Sequence, residues 1–345
     1  MAPAPVPEKV WAMASLEPKK PLQKWEHTPK PLGPQDIDIK VTHNGLCHTD
    51  LHMVDNDWGV SGFPFVPGHE IVGVVAAKGS QVTEFEIGER VGYAWINGSC
   101  GACGHCIGGD ENICLKGWTG TIVGGNHGGF QTYMRQPAKF AYKIPDGLDS
   151  VAAAPLLCAG ITVYSPLRRL VTHPGTKVTV VGIGGLGHLA IQFAAKMGAE
   201  VTALSTSANK EAEAKSFGAK NFVVSTDPAA MKALANTQEV IINTVSSAND
   251  YAAQMALLRP NGSLCIVGAP VTDVKVGVSD LVFAQKKLMG SLVGGRRDMN
   301  EMLEFAAQAG VAPKCETMPL SKVNEAFEKV KNNQARYRIV LLTDV

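Results

Sequence analysis

Two patterns of hydrophobic and polar residues divide the chain. Up to about residue 153, short apolar runs that alternate with polar residues, such as 36–45 (DIDIKVTHNG) and 70–79 (EIVGVVAAKG), are separated by glycine and proline. Alternation with a period of two, bounded by turn residues, predicts short strands. The first part of the chain is therefore predicted to form a compact, mostly β unit.

Beyond residue 175, apolar strands alternate with helical stretches. Residues 177–181 (KVTVV) are mostly β-branched and predict a strand, and residues 186–197 are apolar at helical spacing and end at Gly198. Strands that alternate with helices predict an α/β unit with a doubly wound parallel sheet over residues 156–295. Further strands of this sheet are predicted at 200–206, 222–225, 239–245 and 263–268.

The last part of the chain predicts two more helices and a strand. Residues 299–310 and 321–332 have helical spacing, and residues 337–345 are apolar and β-branched. The final strand could return to the first unit, which would give two domains, one of residues 1–155 completed by 296–345 and one of residues 156–295.

Composition narrows the classes of protein. The 345 residues are enough for two domains, and 32 basic against 31 acidic residues, without a basic block, argue against nucleic acid or an anionic membrane as a partner. The longest uncharged stretch is interrupted by Pro155, Gly160 and Pro166, so no transmembrane helix is predicted. The N-terminus lacks the apolar run of a signal peptide, and the expected location is cytoplasmic.

Four of the eight cysteines have the spacing C-x2-C-x2-C-x7-C. Small residues between closely spaced thiolates let the backbone wrap one tetrahedral ion, and four sulfur ligands leave no open position. The pattern predicts a structural zinc site, with four unrelated thiols or an iron–sulfur centre as the alternatives. The cysteines concerned are Cys100, Cys103, Cys106 and Cys114.

A second group of polar residues has the residue types of a catalytic metal site. Cys47 begins the hexad CHTDLH, His69 lies in PGHEIVG, and Cys158 lies far along the chain. Two sulfurs and one imidazole would leave one coordination position open for water or substrate. On spacing alone, a structural histidine and buried thiols remain the alternative.

The glycine motif GIGGLG follows the predicted strand KVTVV and opens a predicted helix, which is the context that a dinucleotide-binding motif requires. Gly182 would allow a tight turn, Gly184 would let the backbone approach a pyrophosphate, and Gly187 would permit close packing of helix and strand. Gly185 and Leu186 complete this predicted cofactor loop.

The end of the second predicted strand indicates which dinucleotide is bound. An NAD site would place Asp or Glu there, whereas this chain has Ser205, Thr206, Ser207 and Lys210. Hydroxyl and ammonium groups can donate hydrogen bonds to a 2′-phosphate, which a carboxylate would repel. NADP(H) is therefore the predicted cofactor, with a plain turn and a solvated lysine as the alternative.

Taken together, these motifs resemble a known family. GLCHTDLH, PGHEIVG, the four-cysteine segment, PLLCAGITVYSPL and GIGGLG are similar to the zinc-dependent alcohol dehydrogenases of the medium-chain dehydrogenase/reductase superfamily, over nearly the whole chain. PLLCAGITVYSPL and ARYRIV resemble the cinnamyl alcohol dehydrogenase branch of NADPH-dependent aldehyde reductases. The resemblance implies a GroES-like, mostly β catalytic domain and a Rossmann NADP-binding domain. It also implies two zinc ions per chain and reversible reduction of aromatic, allylic and aliphatic aldehydes to primary alcohols.

The resemblance assigns roles around the second metal site. It implies that Cys47, His69 and Cys158 hold the catalytic zinc, with Glu70 as a fourth ligand when water or substrate is absent. It further implies that Asp50 orients the imidazole, for which a helix-capping carboxylate is the alternative. Zinc would act as a Lewis acid on the carbonyl while NADPH supplies the hydride.

Further residues carry roles that rest on the resemblance. Thr49 and His52 match a proton relay that connects the substrate oxygen with solvent through the cofactor ribose, and His48 matches a contact with the cofactor phosphates. Four more positions match residues around the nicotinamide and one matches a pyrophosphate contact, although each could be ordinary packing or surface charge. They are Thr162, Val267, Ser291 and Val293, and Arg338 for the pyrophosphate.

Three tryptophans are predicted to line the substrate pocket. Trp58, Trp95 and Trp118 lie at positions that resemble the aromatic pocket of the cinnamyl branch, and flat rings suit aryl or allylic aldehydes. Packing in the core or in loops is the alternative. Residues 116–127 form a shorter segment than in plant-type members, so we expect an incomplete pocket wall and a broader substrate range.

Two other functions compete with a broad aldehyde reductase. One is a reductase specialised for a single phenylpropanoid or terpenoid aldehyde, and the other is a non-catalytic structural protein that binds NADPH. The complete set of predicted catalytic residues argues against the second, and an aromatic pocket argues against a polyol dehydrogenase. Because relatives associate through their nucleotide-binding sheets, a homodimer is expected, with a tetramer as the alternative.

Overall fold

The computed structural model describes residues 6–247, 249–269 and 273–345. They form two compact units. The first unit contains the residues up to Cys158 together with Gly295–Gln308 and Ala312–Val345, and the second contains Ala159–Gly294 with Ala309–Val311. The expected domain boundaries, after residues 155 and 295, differ from these limits by one to three residues.

Strand β3 is the longest strand of the first unit and shows why this part of the chain forms a sheet. Its alternate residues Ile37, Ile39 and Val41 are all buried. They share one face of the strand, so their β-branched side chains pack together into the core. The elements up to the unit boundary are β1 (Val10–Ala14), β2 (Gln23–His27), β3 (Asp36–Leu46), α1 (His48–Asp55), β4 (Ile71–Lys78), β5 (Arg90–Tyr93), β6 (Ile96–Ser99), α2 (Gly104–Ile107), β7 (Trp118–Gly120), β8 (Tyr133–Pro137), β9 (Ala141–Lys143) and α3 (Ser150–Pro155).

The second unit is a parallel sheet with helices between its strands. Its strands run β12-β11-β10-β13-β14-β15, which is the 3-2-1-4-5-6 order of doubly wound dinucleotide-binding folds. The predicted α/β class is confirmed. The elements are α4 (Ile161–Leu170), β10 (Lys177–Val181), α5 (Gly187–Lys196), β11 (Glu200–Ser205), α6 (Glu211–Ser216), β12 (Asn221–Val224), α7 (Pro228–Leu234), β13 (Gln238–Asn243), α8 (Tyr251–Leu257), β14 (Leu258–Ile266), α9 (Val278–Val282) and β15 (Lys287–Gly290).

The last part of the chain belongs mostly to the first unit. Strand β17 pairs antiparallel with β3, with Ile339 opposite Leu46, and parallel with β16. The resulting sheet runs β16-β17-β3-β4-β5-β9, and β8 also pairs with β3. The C-terminal elements are α10 (Arg296–Ala309), β16 (Cys315–Pro319), α11 (Val323–Lys331) and β17 (Arg338–Leu342).

One hydrophobic core of the first unit joins distant parts of the chain. Leu46, Met53, Phe65, Phe130 and Ile339 all belong to it and are almost fully buried. Burying each such side chain contributes about 1.5–3 kcal/mol relative to exposure. The C-terminal strand is therefore part of the same packed unit that contains the start of helix α1.

A continuous helical stretch runs through Ser150–Leu170 and includes a π-helical turn at Leu156–Gly160. It is long and apolar enough to cross a membrane by length and composition alone. However, 83% of its most apolar window is buried inside the protein, as in the core helix of a globular protein. The Asp149 carboxylate caps its start by accepting a hydrogen bond of 2.8 Å from the Ala152 amide.

The four-cysteine segment is attached to the start of helix α10. The buried Glu111 carboxylate accepts a hydrogen bond of 2.9 Å from the Arg296 amide and lies 3.6 Å from the Arg296 guanidinium. Arg297 donates to the carbonyl of Gly108 at 2.6 Å. A helix start exposes unsatisfied N–H groups, so an acidic side chain there stabilises the helix through both a hydrogen bond and its charge.

Replacing Glu111 is expected to destabilise the protein. Glu111→Ala removes the charged acceptor of the Arg296 amide and should lower the free energy of unfolding by about 2 kcal/mol. Glu111→Gln should lower it less, because an amide oxygen can still accept that hydrogen bond. Denaturant unfolding measures both, with the exposed Glu304→Ala in the same helix as the control. Equal stability of Glu111→Ala and the control would contradict this account.

Candidate active site

Four potential metal ligands from three separate segments of the first unit meet at one point. The ligand atoms of Cys47, His69, Glu70 and Cys158 all lie within 4.8 Å of one another. Cys47 caps the start of helix α1, His69 and Glu70 immediately precede β4, and Cys158 lies in the π-helical turn. The structure thus brings together the residues that the sequence placed in the second metal site.

The orientation of the His69 ring leaves one nitrogen available to a metal. Its Nδ1 lies 3.0 Å from a carboxylate oxygen of Asp50, which holds a hydrogen on Nδ1 and leaves Nε2 as the nitrogen that the neutral ring can offer to a metal. Nε2 is buried and has no hydrogen-bond partner among the described residues. Because an unsatisfied buried polar atom is costly, this nitrogen fits the role of a metal ligand.

Asp50 fulfils both of the roles that the sequence left open. Besides His69, its carboxylate accepts the backbone N–H of Gly68 at 2.9 Å and that of Cys47 at 3.1 Å. The second of these contacts caps helix α1. One buried carboxylate therefore orients the imidazole and also fixes the backbone that carries both His69 and Cys47.

The environment of Cys47 favours the thiolate, which is the form that binds metals. A hydrogen bond from Cys158 lowers the pKa of the Cys47 thiol well below its ordinary value. Burial opposes this shift, whereas His69 and Arg338 lower the pKa of Cys47 further.

Glu70 has a partner that the sequence analysis missed. Its Oε1 accepts a hydrogen bond from Nη2 of Arg338, while its Oε2 has no partner among the described residues. Burial raises the pKa of Glu70 to about 7, although Arg338 acts in the opposite direction. A Cβ on Gly45 would lie 1.8 Å from Oε2, so only glycine leaves room for this carboxylate.

Arg338 reaches this position because β17 pairs with β3. The residue is only 7% exposed, and its guanidinium forms an ion pair with Glu70. No local sequence signal indicates this pair, since the two residues are 268 positions apart. The contact of Arg338 with a pyrophosphate stays a prediction.

Helix α1 carries the residues predicted to transfer a proton. His52 lies two residues after Asp50, and its Nδ1 is 2.8 Å from the Asp57 carboxylate, at the surface of the first unit. Thr49 is half-buried and His48 is exposed. Asp57, which orients the His52 ring, was not among the predicted residues.

Two of the three predicted pocket tryptophans lie next to the four candidate metal ligands. Trp95 contacts the His69 ring edge-to-face at 5.3 Å, and Trp118 contacts Trp95 at 5.9 Å. Trp58 lies elsewhere, against His52 at 5.2 Å, and is 39% exposed. Trp95 and Trp118 thus form an aromatic surface beside His69, whereas Trp58 lies beside His52 of the predicted proton relay.

The four cysteines of the other cluster have the spacing of ligands around one ion. Sulfur–sulfur distances are 3.5 Å between Cys103 and Cys106, 3.8 Å between Cys100 and Cys106, and 4.0 Å between Cys103 and Cys114. Zinc–sulfur bonds of about 2.3 Å in a tetrahedron require edges of about 3.8 Å. The distances therefore fit a single tetrahedral ion better than four unrelated thiols.

The predicted cofactor loop lies at the carboxyl end of β10 in the second unit. Gly182 has a φ of +85°, and a Cβ on Gly187 would lie 1.9 Å from the Gly182 carbonyl oxygen. A Cβ on Gly184 would meet nothing within 4 Å. The loop therefore combines a tight turn and close packing with an open backbone that a phosphate can approach, while Gly185 and Leu186 lead into α5.

The turn after β11 makes hydrogen bonds within itself and one hydrogen bond to the cofactor loop. The Ser207 amide donates to Ser205 Oγ at 3.4 Å, and Ser207 Oγ bonds Asn209, while Thr206 is exposed. Lys210 is not simply a solvated lysine, because its Nζ donates a hydrogen bond to the Ile183 carbonyl at 2.9 Å. The structure thus brings Lys210 beside the cofactor loop.

The remaining predicted cofactor residues also belong to the second unit. Thr162 is buried in α4, and the Val267 and Ser291 amides donate to Asn243 and Ile266 at strand ends. Carboxyl ends of parallel strands are where doubly wound folds bind ligands. Val293 has a φ of +36°, which is unusual for a β-branched residue.

Two protein-family models match the chain. The model described as "Alcohol dehydrogenase GroES-like domain" matches residues 33–146, and the one described as "Zinc-binding dehydrogenase" matches residues 185–308. The first matched range lies within the mostly β unit and contains the four-cysteine cluster. The second begins in the glycine motif.

Curated proteins from bacteria and plants are similar over almost their full length. A probable formaldehyde dehydrogenase of Bacillus subtilis is 45% identical over 90% of both chains. Cinnamyl alcohol dehydrogenase 8 of Arabidopsis thaliana is 40% identical over 97% of this chain and 95% of its own. NADP-dependent alcohol dehydrogenase C 1 of Mycolicibacterium smegmatis is 40% identical over 97% and 98%, respectively.

Solved structures share the whole fold. A cinnamyl alcohol dehydrogenase of Sorghum bicolor superposes with a TM-score of 0.92 at 38% identity, covering 96% of this chain and 97% of its own. A second, from Helicobacter pylori and complexed with NADP(H), gives a TM-score of 0.89 at 30% identity over the same shares of the two chains.

Weakening the support of His69 is expected to weaken metal binding without unfolding the protein. Asp50→Asn keeps an oxygen acceptor but removes the charge, and should lower zinc affinity at this site about 10–100-fold. After dialysis against a chelator, the variant should retain one zinc ion per chain under conditions where the unaltered protein retains two. Asp55→Asn in the same helix is the control. Equal zinc retention in all three proteins would refute the role of Asp50.

Two glycines of the cofactor loop should respond differently to alanine. Gly187→Ala forces a methyl group against the Gly182 carbonyl and should lower the free energy of unfolding by about 3 kcal/mol. Gly184→Ala meets no neighbour, so it should change stability by less than about 1 kcal/mol and weaken dinucleotide binding at least about tenfold. Thermal unfolding and calorimetric titration measure the two effects. Normal dinucleotide affinity in Gly184→Ala would contradict the predicted approach.

Proposed function

Because the chain belongs to the zinc-dependent medium-chain alcohol dehydrogenases, in the cinnamyl alcohol dehydrogenase branch, we propose that it reversibly reduces aldehydes to primary alcohols with NADPH. As a member of this family, it is an oxidoreductase that acts on alcohols and aldehydes. The observation that carries the proposed mechanism is the unpartnered Nε2 of His69, oriented by Asp50 toward two cysteine sulfurs.

The protein's own residues supply the metal site. In the proposal, Cys47, His69 and Cys158 hold a zinc ion, and Glu70 is the alternative fourth ligand when its contact with Arg338 is released. Zinc bound there would supply Lewis acidity to polarise the substrate carbonyl. Asp50 keeps His69 in the tautomer that binds metal, and the thiolate character of Cys47 supports this ligand set. Cys100, Cys103, Cys106 and Cys114 hold the second, structural zinc.

The proposed cofactor is NADPH, which would supply the hydride. Ser205, Thr206, Ser207 and Lys210 provide hydrogen-bond donors and no carboxylate at the end of β11. The names of one relative and one structural neighbour both contain NADP, which supports this choice. The loop Gly182, Gly184, Gly185, Leu186 and Gly187 would bind the pyrophosphate, with His48, Thr162, Val267, Ser291, Val293 and Arg338 as further proposed contacts.

Proton transfer is proposed to run along helix α1. Thr49 would contact the substrate oxygen, and His52 would exchange the proton with solvent. The Asp57 carboxylate fixes the His52 ring by its contact with Nδ1, so Nε2 is the nitrogen that exchanges the proton.

The proposed substrates are aromatic, allylic and aliphatic aldehydes. Trp95 and Trp118 provide a flat aromatic surface next to His69, which suits planar unsaturated substrates. Trp58 lies beside His52, where it would contact a longer substrate.

A cytoplasmic homodimer is proposed. None of the eight cysteines, all of which lie in the described part of the chain, forms a disulfide, which suits a reducing compartment. Val278, Val282 and Phe283 are 75%, 61% and 89% exposed just before the edge strand β15. Exposed apolar side chains beside an unpaired strand edge are typical of an interface between subunits.

Turnover of three aldehydes tests the proposed activity. NADPH oxidation should occur with cinnamaldehyde, benzaldehyde and a straight-chain aldehyde, should stop on removal of zinc by chelation, and should return when zinc is restored. kcat/KM should be at least about tenfold higher with NADPH than with NADH. A preference for NADH would overturn the proposed cofactor. No turnover of any of the three, with two zinc ions bound, would indicate a narrow substrate or a non-catalytic role.

Charge on the apolar surface tests the dimer. Phe283→Asp should convert a dimer into a monomer in sedimentation velocity, because a buried carboxylate at an interface lacks a partner. Lys275→Asp, upstream of the apolar residues, is the control. A dimer that resists the change, or a tetramer, would contradict the proposed assembly.

A further inference from the structure

Two consecutive carbonyl groups of the cofactor loop, those of Ile183 and Gly184, accept hydrogen bonds from side chains. The proposed function does not explain these contacts. Nζ of Lys210 donates to the Ile183 carbonyl at 2.9 Å, and Nδ1 of His188 lies 2.9 Å from the Gly184 carbonyl. The His188 backbone amide donates to the same oxygen at 3.1 Å. The two side chains come from different elements, the turn after β11 and helix α5.

These contacts fix the directions of two amide groups. In a trans peptide the C=O and N–H groups point in opposite directions. Holding the Ile183 carbonyl therefore directs the Gly184 N–H away from Lys210, and holding the Gly184 carbonyl directs the Gly185 N–H away from His188. Glycine restricts its own backbone very little, so the Lys210 contact limits rotation of the Ile183–Gly184 peptide group, and His188 Nδ1 adds a second donor to the backbone amide that already holds the Gly184 carbonyl.

The His188 side chain is built for this contact. It is fully buried, and its ring packs edge-to-face against Phe217 at 5.5 Å. A carbonyl can only accept, so Nδ1 carries a hydrogen and donates it. The ring is thus held in one orientation by packing while its nitrogen holds the loop.

Lys210 links two parts of the expected cofactor site. Its Nζ contacts the Ile183 carbonyl, and the residue follows Ser205, Thr206 and Ser207 in the turn after β11. Lys210 therefore connects the residues expected to read the 2′-phosphate with the loop expected to bind the pyrophosphate.

We propose that His188 and Lys210 are positioning residues that preset the amide groups of the cofactor loop for a dinucleotide pyrophosphate. The proposal rests on the proposed use of a dinucleotide, but it does not depend on which one is preferred. It requires Lys210 to matter for NADH, which lacks the 2′-phosphate. A lysine that only binds the 2′-phosphate would leave NADH binding unchanged.

Dissociation constants for NADPH and NADH test this proposal directly. Calorimetric titration of the zinc-loaded protein should show Lys210→Met weakening NADH binding about fivefold and NADPH binding more strongly. Lys215→Met, an exposed lysine in the adjacent helix α6, should change neither. NADH binding that is unaltered in Lys210→Met would overturn the role of Lys210 in positioning the loop.

His188 is tested by a pair of variants. His188→Leu should weaken binding of both dinucleotides by the same factor, about tenfold, whereas His188→Asn should stay within about threefold because its amide can donate from the place of Nδ1. At saturating NADPH, kcat should be unchanged while KM for NADPH rises. Unaltered affinity in a folded His188→Leu, or equal losses in the Leu and Asn variants, would overturn this role.

A readout without cofactor separates positioning from general stability. Hydrogen exchange of the amides in residues 183–187 should accelerate in His188→Leu and Lys210→Met, while the melting temperature of the Lys210 variant stays unchanged. If the unaltered protein prefers NADH, the proposed NADPH preference fails, and the NADH constants alone decide the positioning proposal. Unchanged exchange in both variants would contradict it.

Discussion

The buried carboxylate of Asp50 is the constraint on which the active site depends. It accepts hydrogen bonds from His69, from the Gly68 amide and from the Cys47 amide, at 3.0, 2.9 and 3.1 Å. A fully buried carboxylate is costly to desolvate, and three donors offset that cost. Through these contacts one side chain orients the His69 ring and fixes the start of helix α1 and the turn before β4.

Contacts between distant segments also hold the predicted functional residues within each unit. The pairing of β17 with β3 brings Arg338 to Glu70, and the buried Glu111 fastens the four-cysteine segment to helix α10. In the second unit, the doubly wound sheet places the glycine loop and the turn after β11 side by side, so that Lys210 reaches Ile183. These three contacts, each between a charged side chain and a carboxylate or a backbone group, join segments that are separate in the sequence.

Features of the fold and of the candidate site could be predicted where their signal lies within one short segment of the sequence. The cysteine spacing, the glycine motif and the alternation of strands and helices are local patterns, and the α/β class was predicted from them. The contacts of Arg338 with Glu70 and of Glu111 with Arg296 depend on tertiary structure and had no local signal. Asp50 shows a different limit: orienting and capping were treated as alternatives, yet one carboxylate does both.

The central claim is that each of the two clusters holds one zinc ion, one with four sulfurs and one with two sulfurs and the Nε2 of His69. Metal analysis combined with zinc X-ray absorption tests it directly. The account predicts two zinc ions per chain, zinc–sulfur distances of about 2.3 Å, and an imidazole contribution at about 2.0–2.1 Å that His69→Ala abolishes. A single zinc ion with sulfur ligands only, or iron in the four-cysteine cluster, would contradict the account.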